Sequence, residues 1–131
     1  MTRPPQYQYF QLTIPPSVNK VWLRGKHGSY MAPKYRSWLD QNTKRIEVDT
    51  ILGGNVRVDI QVWGGKGWRM NRDLDNIFKG VLDLLVKSKV IVDDCTKVVT
   101  YITAEYCEPS DKKDLAYLMV KVEGHPSETQ D

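Results

Sequence analysis

Eight residues in the middle of the chain, Val56-Arg57-Val58-Asp59-Ile60-Gln61-Val62-Trp63, alternate apolar and polar without a break until the closing Trp63. Successive side chains of a strand point to opposite faces. Val56, Val58, Ile60 and Val62 therefore share one face, and Arg57, Asp59 and Gln61 share the other. Such a strand belongs in a sheet with one face on a core. Downstream the period changes: Leu74, Ile77, Phe78, Val81 and Leu85 recur at three- and four-residue spacing. That predicts a helix from Asp73 to about Ser88 with this stripe inward.

The remaining segments fill in around these two. Tyr7 to Ile14 alternates and is rich in β-formers, so it is expected to be a strand that Pro15-Pro16 ends. Residues 17–33 have no clean period and read as a long basic loop. A helix is expected over Tyr35–Leu52, with Gly53-Gly54 as its stop. Gly64 to Arg72 is a second basic, glycine-rich loop, Lys97–Tyr106 a strand, Leu115–Val122 the last strand. The expected fold is one α/β (α+β) domain over 1–131, a small mixed sheet of about four strands with two principal helices, and a flexible tail over about 124–131.

Composition removes several functional classes. With 40% hydrophobic and 27% charged residues the chain is globular rather than disordered. Its longest apolar run, Leu115 to Val120, is far short of the roughly 20 residues of a membrane span. No apolar stretch follows the charge in Met-Thr-Arg-Pro-Pro-Gln, so no secretory signal is read and a cytoplasmic location is expected. Cys95 and Cys107 are then expected to be free thiols. The net charge of +3 hides an asymmetry. Residues 1–72 carry 12 Lys and Arg against 4 Asp and Glu; residues 73–131 carry 7 against 12. A basic half joined to a carboxylate-rich half suits a protein that holds a polyanion and sets a cation against it.

The densest chemistry lies in Arg72-Asp73-Leu74-Asp75-Asn76-Ile77-Phe78-Lys79. Two carboxylates open a helix directly after a basic loop, and Asp75, Lys79 and Asp83 share a face away from the apolar stripe. The bland alternative makes Asp73 an N-cap and Asp75–Lys79 a surface ion pair. Asp93-Asp94, after the short apolar Val90–Val92, adds two further carboxylates. Gathered together, such carboxylates repel unless a divalent cation sits among them, and all-oxygen donors favour Mg²⁺, with Mn²⁺ as substitute. His27 and His125 lack metal-ligand spacing, Cys95 lies beside the charge of Asp94, and there is no phosphate loop or dinucleotide fingerprint, so no nucleotide cofactor is expected.

Arg72-Asp73-Leu74-Asp75-Asn76, then Lys79, then Asp93-Asp94, together with the opening Ile14-Pro15-Pro16-Ser17-Val18-Asn19-Lys20, resembles the RusA family of Holliday-junction resolvases. The likeness runs from about residue 10 to 122. It implies a small homodimeric Mg²⁺-dependent endonuclease, of a kind often carried on prophages, that cuts four-way branched DNA symmetrically. It places the catalytic, metal-holding carboxylates on Asp73, Asp75 and Asp94 and the catalytic lysine on Lys79. Arg72, Asn76 and Asn19 are then expected at the DNA. Asp93 and Asp83 are secondary. Lys20, Arg24, Lys26, Lys66 and Arg69 of the two basic loops are expected to contact phosphate.

The chemistry agrees with this likeness. Phosphodiester hydrolysis needs an activated water and stabilisation of charge on the phosphate, both of which a carboxylate-held Mg²⁺ provides. Lys79 can hold the water or neutralise the developing charge; the sequence leaves that choice, and the number of metals, open. Two alternatives stand beside it: a non-catalytic junction or single-strand binder stacking bases on Trp22, Trp68, Tyr30 and Tyr35, and a nuclease for other branched DNA. A plain binder has no use for carboxylates facing phosphate. A two-fold substrate cut at two matched points is met most simply by a two-fold dimer.

Overall fold

The computed structural model describes residues 4–17 and 22–127. Among the described residues six strands and two helices follow in order: β1 (Gln6–Thr13), β2 (Trp22–Gly25), β3 (Gly28–Met31), α1 (Pro33–Thr43), β4 (Leu52–Trp63), a 3-10 turn (Leu74–Ile77) running into α2 (Phe78–Lys87), β5 (Val99–Cys107) and β6 (Tyr117–Pro126). Four strands form one mixed sheet in the order β1-β6-β4-β5, and β2 pairs with β3 apart from it. β6 is antiparallel to both β1 and β4, whereas β4 and β5 are parallel. The parallel pair needs a crossover, and the 3-10 turn and α2 supply it.

The alternating segment is β4, at the centre of the sheet. Its Val56, Val58, Ile60 and Val62 are buried, together with Phe10 and Leu12 of β1 and Leu118, Val120 and Val122 of β6. Trp38 and Leu39 of α1 and Val81, Leu84 and Leu85 of α2 join the same cluster. Gly80 lets α2 approach the end of β1: a Cβ there would stand 3.1 Å from Cβ of Pro15. The first-turn region of α2 is thereby held against the Pro15-Pro16 corner.

Four segments differ from the sequence expectation. The basic loop contains the β2–β3 hairpin, whose four-residue strands are too short to show a period. α1 stops at Thr43 rather than at Leu52. Buried Asn42 ends it by locking onto β1, accepting the Thr13 backbone N–H at 3.0 Å and donating to the Thr13 hydroxyl and the Trp38 carbonyl at 2.9 Å each. The Gly53-Gly54 pair belongs to β4, not to a helix stop; Gly53 is required by close approach, since a Cβ there would lie 2.8 Å from Cα of Ser127. β6 runs on to Pro126, and Ser127 is buried, so the ordered domain extends past Gly124.

Candidate active site

The loop after β4 delivers the Arg72–Asn76 segment to the entrance of α2. Asp73 caps the 3-10 turn in position, with φ −68° and ψ 139°, yet its carboxylate makes no capping hydrogen bond. Asp75 lies exposed in the turn that follows. Lys79 does not pair with Asp75: its Nζ lies 3.0 Å from Oδ1 of Asp83, one turn the other way. Both structural duties that the sequence allowed these two carboxylates, a cap and an ion pair, are therefore unfilled. Among the described residues neither side chain has a hydrogen-bond or ion-pair partner.

Arg72 is spent within the chain. Its guanidinium donates to the Pro15 carbonyl at 2.7 Å, to the Pro16 carbonyl at 3.3 Å and from Nε to Asn76 Oδ1 at 2.8 Å. It also lies 5.2 Å from the centre of the Trp68 ring. Burial lowers its pKa, but a guanidinium stays charged. One residue thus ties together the corner after β1, the loop after β4 and the 3-10 turn. Arg72 still lines an open groove with Lys34 and Arg69, and Leu23 of the hairpin, Gly67 and Asn71 line the same groove. Arg24 and Lys26 of the hairpin and Lys66 and Arg69 of the loop are exposed, as phosphate contacts must be. Asn19 and Lys20 lie outside the described residues. Lys34 was missed because it sits in a helix start rather than in a basic run.

A second group forms on the exposed side of α2. Lys79, Asp83, Lys87 and Asp94 line one cleft with Met31, Leu39 and Val86. The Tyr35 hydroxyl donates to the Asp83 oxygen that Lys79 leaves free. Tyr35 is buried, and burial first, then the Asp83 carboxylate, push its hydroxyl well above the usual value. Asp93 accepts the Asp94 backbone N–H at 2.7 Å, and that bond, helped by Cys95, holds its carboxyl below the usual range. It shapes the turn, which leaves Asp94 to face the cleft.

Topology separates the two groups. Asp73 follows the C-terminal end of β4, whereas Asp94 precedes the N-terminal end of the parallel β5. Among the described residues no three His, Cys, Asp or Glu side chains come together as a metal-holding group. The single chain thus brings Lys79, Asp83 and Asp94 to one cleft and leaves Asp73 and Asp75 one to two turns away at the helix entrance. The donors still match a hard divalent cation in kind: all are carboxylate oxygens, and no thiol or imidazole stands among them.

The side chain of Trp22 lies outside the described residues, and among the described ones Tyr30, Tyr35 and Trp68 do not form a stacking platform. Tyr35 is buried and stacks on Trp38 with ring centres 6.4 Å apart, and Trp68 is buried beneath Arg72. Tyr30 alone of the three described rings is exposed. Both cysteines are free; burial, then Glu105, push the Cys107 thiol up, which removes it as a nucleophile at neutral pH. Among the described residues no helix is long and apolar enough to cross a membrane.

Residues 13–123 match the family model described as "Endodeoxyribonuclease RusA". A crossover junction endodeoxyribonuclease rusA of Enterobacteria phage HK97 is 35% identical over 92 residues, covering 68% of this chain and 74% of the phage protein. Among solved structures, the hydrogenase maturation protein HypE with ATP overlaps 97% of this chain and 32% of its own, at 10% identity and a TM-score of 0.34. An overlap that loose defines neither fold nor ligand.

Proposed function

The chain belongs to the RusA family of endodeoxyribonucleases, and from that premise we infer that it resolves four-way DNA junctions by hydrolysing phosphodiester bonds at matched points. The observation that carries this reading is the pair Asp73 and Asp75. Two exposed carboxylates, with no partner among the described residues, stand beside a groove lined by Lys34, Arg69 and Arg72. Carboxylates so placed repel DNA and cost affinity unless they do chemistry.

Asp73, Asp75 and Asp94 are the residues that would hold a divalent cation, Mg²⁺ with Mn²⁺ as substitute. The chemistry such a cation supplies when bound is the acidification of water and the neutralisation of charge on the attacked phosphate. Lys79, one turn beyond Asp75 and 55% exposed at its side chain, would hold the attacking water or neutralise charge on the attacked phosphate. Arg72 holds the Asp73–Asn76 segment against the Pro15-Pro16 corner, so the two carboxylates are fixed before DNA arrives. The hairpin and the loop after β4 supply the cations that grip the backbone on either side.

The two-fold symmetry of a four-way junction cut at matched points supports a homodimer. Two copies related by a two-fold axis meet a two-fold junction with two equal sites. The working location is the cytoplasm, where recombining DNA is found. Incubating the protein with a synthetic four-way junction, a flap, a fork and a linear duplex, with and without Mg²⁺, tests the reading. Paired nicks in the junction that require the metal are expected. Cleavage confined to flaps or forks would make the chain a nuclease of another branched structure. Binding without cleavage in any metal would make it a plain binder.

A further inference from the structure

We propose that Tyr35 and Asp83 form a positioning chain for Lys79, rather than a surface ion pair with an incidental neighbour. The proposal rests on the reading that Lys79 acts on the attacked phosphate. Lys79 is the residue whose mobility matters most there: a lysine has four rotatable bonds and loses much freedom when fixed in one place. An exposed lysine–carboxylate pair on a helix face does little to restrain it. Here the carboxylate is itself restrained.

Asp83 is 24% exposed at its side chain, half the exposure of its partner, and both of its oxygens are engaged. Oδ1 receives Lys79 at 3.0 Å, and Oδ2 receives the Tyr35 hydroxyl. Tyr35 has no freedom to yield: it is 2% exposed, stacked on Trp38, and carried by α1 rather than by α2. Its hydroxyl stays protonated throughout the neutral range, so it remains a donor to Asp83. The chain of contacts therefore runs from the rigid core of α1 across the helix pair to a single ammonium. It ends in the cleft that Asp94 also lines. An ion pair serving only α2 would need no donor from α1.

A fixed carboxylate also selects where the ammonium points. Asp75 lies one turn on the other side of Lys79, and a free lysine would divide its time between the two carboxylates. Holding Lys79 on Asp83 leaves Asp75 without a counter-charge from its own helix. Tyr35 and Asp83 are positioning residues in this account; they act through Lys79.

Two measurements on the whole protein test this. The first is chemical labelling of lysines by an acetylating reagent in the absence of DNA and metal, read by mass spectrometry. Tyr35→Phe and Asp83→Asn should each raise the labelling rate of Lys79 several-fold, while the exposed Lys112 labels as before. The second is single-turnover cleavage of a four-way junction at saturating protein. Both variants should lose on the order of tenfold in rate, within the roughly hundredfold reach of a 1 Å misplacement, with junction Kd within twofold of the unmodified chain. Tyr35→Phe keeps the buried ring and Asp83→Asn keeps the side-chain size, so either decides the matter if the other fails to fold. Unchanged Lys79 labelling in a folded variant overturns the proposal, and so does a loss of binding equal to the loss of rate. Should the unmodified chain cut no branched DNA with any divalent metal, the nuclease reading falls, and the labelling result still decides whether Tyr35 and Asp83 restrain Lys79.

Discussion

At the scale of single residues, Arg72 and Tyr35 show how a polar group's value depends on what it already holds. Sequence chemistry sends an arginine in a basic loop to phosphate. In the structure every nitrogen of Arg72 has a protein acceptor, on two separate segments. Arg72→Ala should therefore lower stability by about 2 kcal/mol, the usual cost of hydrogen bonds to a charged group with buried acceptors left behind. A thermal melt should show a fall of several degrees in Tm before any DNA is added; an unchanged Tm would reduce Arg72 to a DNA contact. Tyr35 carries a pH signature. Its hydroxyl pKa is raised in the folded chain, whereas the unfolded chain titrates near 10. Above that pH the folded state binds the extra proton, so Tyr35 stabilises the fold fully below about pH 10 and progressively loses that contribution as pH rises. Denaturant midpoints at pH 9 and pH 11 should therefore converge in Tyr35→Phe relative to the unmodified chain. An identical alkaline drop in both would show that Tyr35 is not the group responsible.

At the scale of elements, what the sequence discloses follows the strength of its periodicity. The β4 alternation and the α2 stripe each survive into the structure, because four and five regularly spaced apolar residues leave one face to bury. The hairpin does not announce itself: Trp22–Gly25 and Gly28–Met31 pair over too few residues for a pattern. The early end of α1 was illegible for another reason. Ile46 and Val48 continue a helical spacing, but they pack on the core from an irregular segment after Asn42 has been claimed by β1. Long-range partners decide such boundaries. The candidate site divides the same way: Asp73, Asp75 and Lys79 are visible in one short motif, whereas Tyr35 becomes part of the site only because α1 packs on α2. The hairpin and the loop after β4 act through their charges. Replacing Arg24, Lys26, Lys66 or Arg69 singly by Ala should weaken junction binding and lower the dependence of log K on log salt by about one ion each. Cleavage at saturating protein should hold; a rate loss at saturation would move that residue from grip to chemistry.

At the scale of the molecule, one chain has its carboxylates divided between two ends of a crossover. The dimer reading rests on the symmetry of the substrate. Sedimentation equilibrium at micromolar protein should return about twice the 15.1 kDa of one chain. On a cruciform plasmid, paired sites should yield linear product without accumulation of nicked circles. A mass of one chain together with accumulating nicked circles would make the protein a nickase that works singly. The central claim is that chemistry resides in Asp73, Asp75 and Asp94, and Asp75→Asn addresses it most directly. That variant keeps the side chain's size and has no partner among the described residues to lose, so folding should be unaffected. Junction cleavage and junction affinity measured on it in Mg²⁺ should part company: cleavage abolished, and affinity equal or tighter because a charge facing phosphate has gone. Near-normal cleavage by Asp75→Asn would contradict the account.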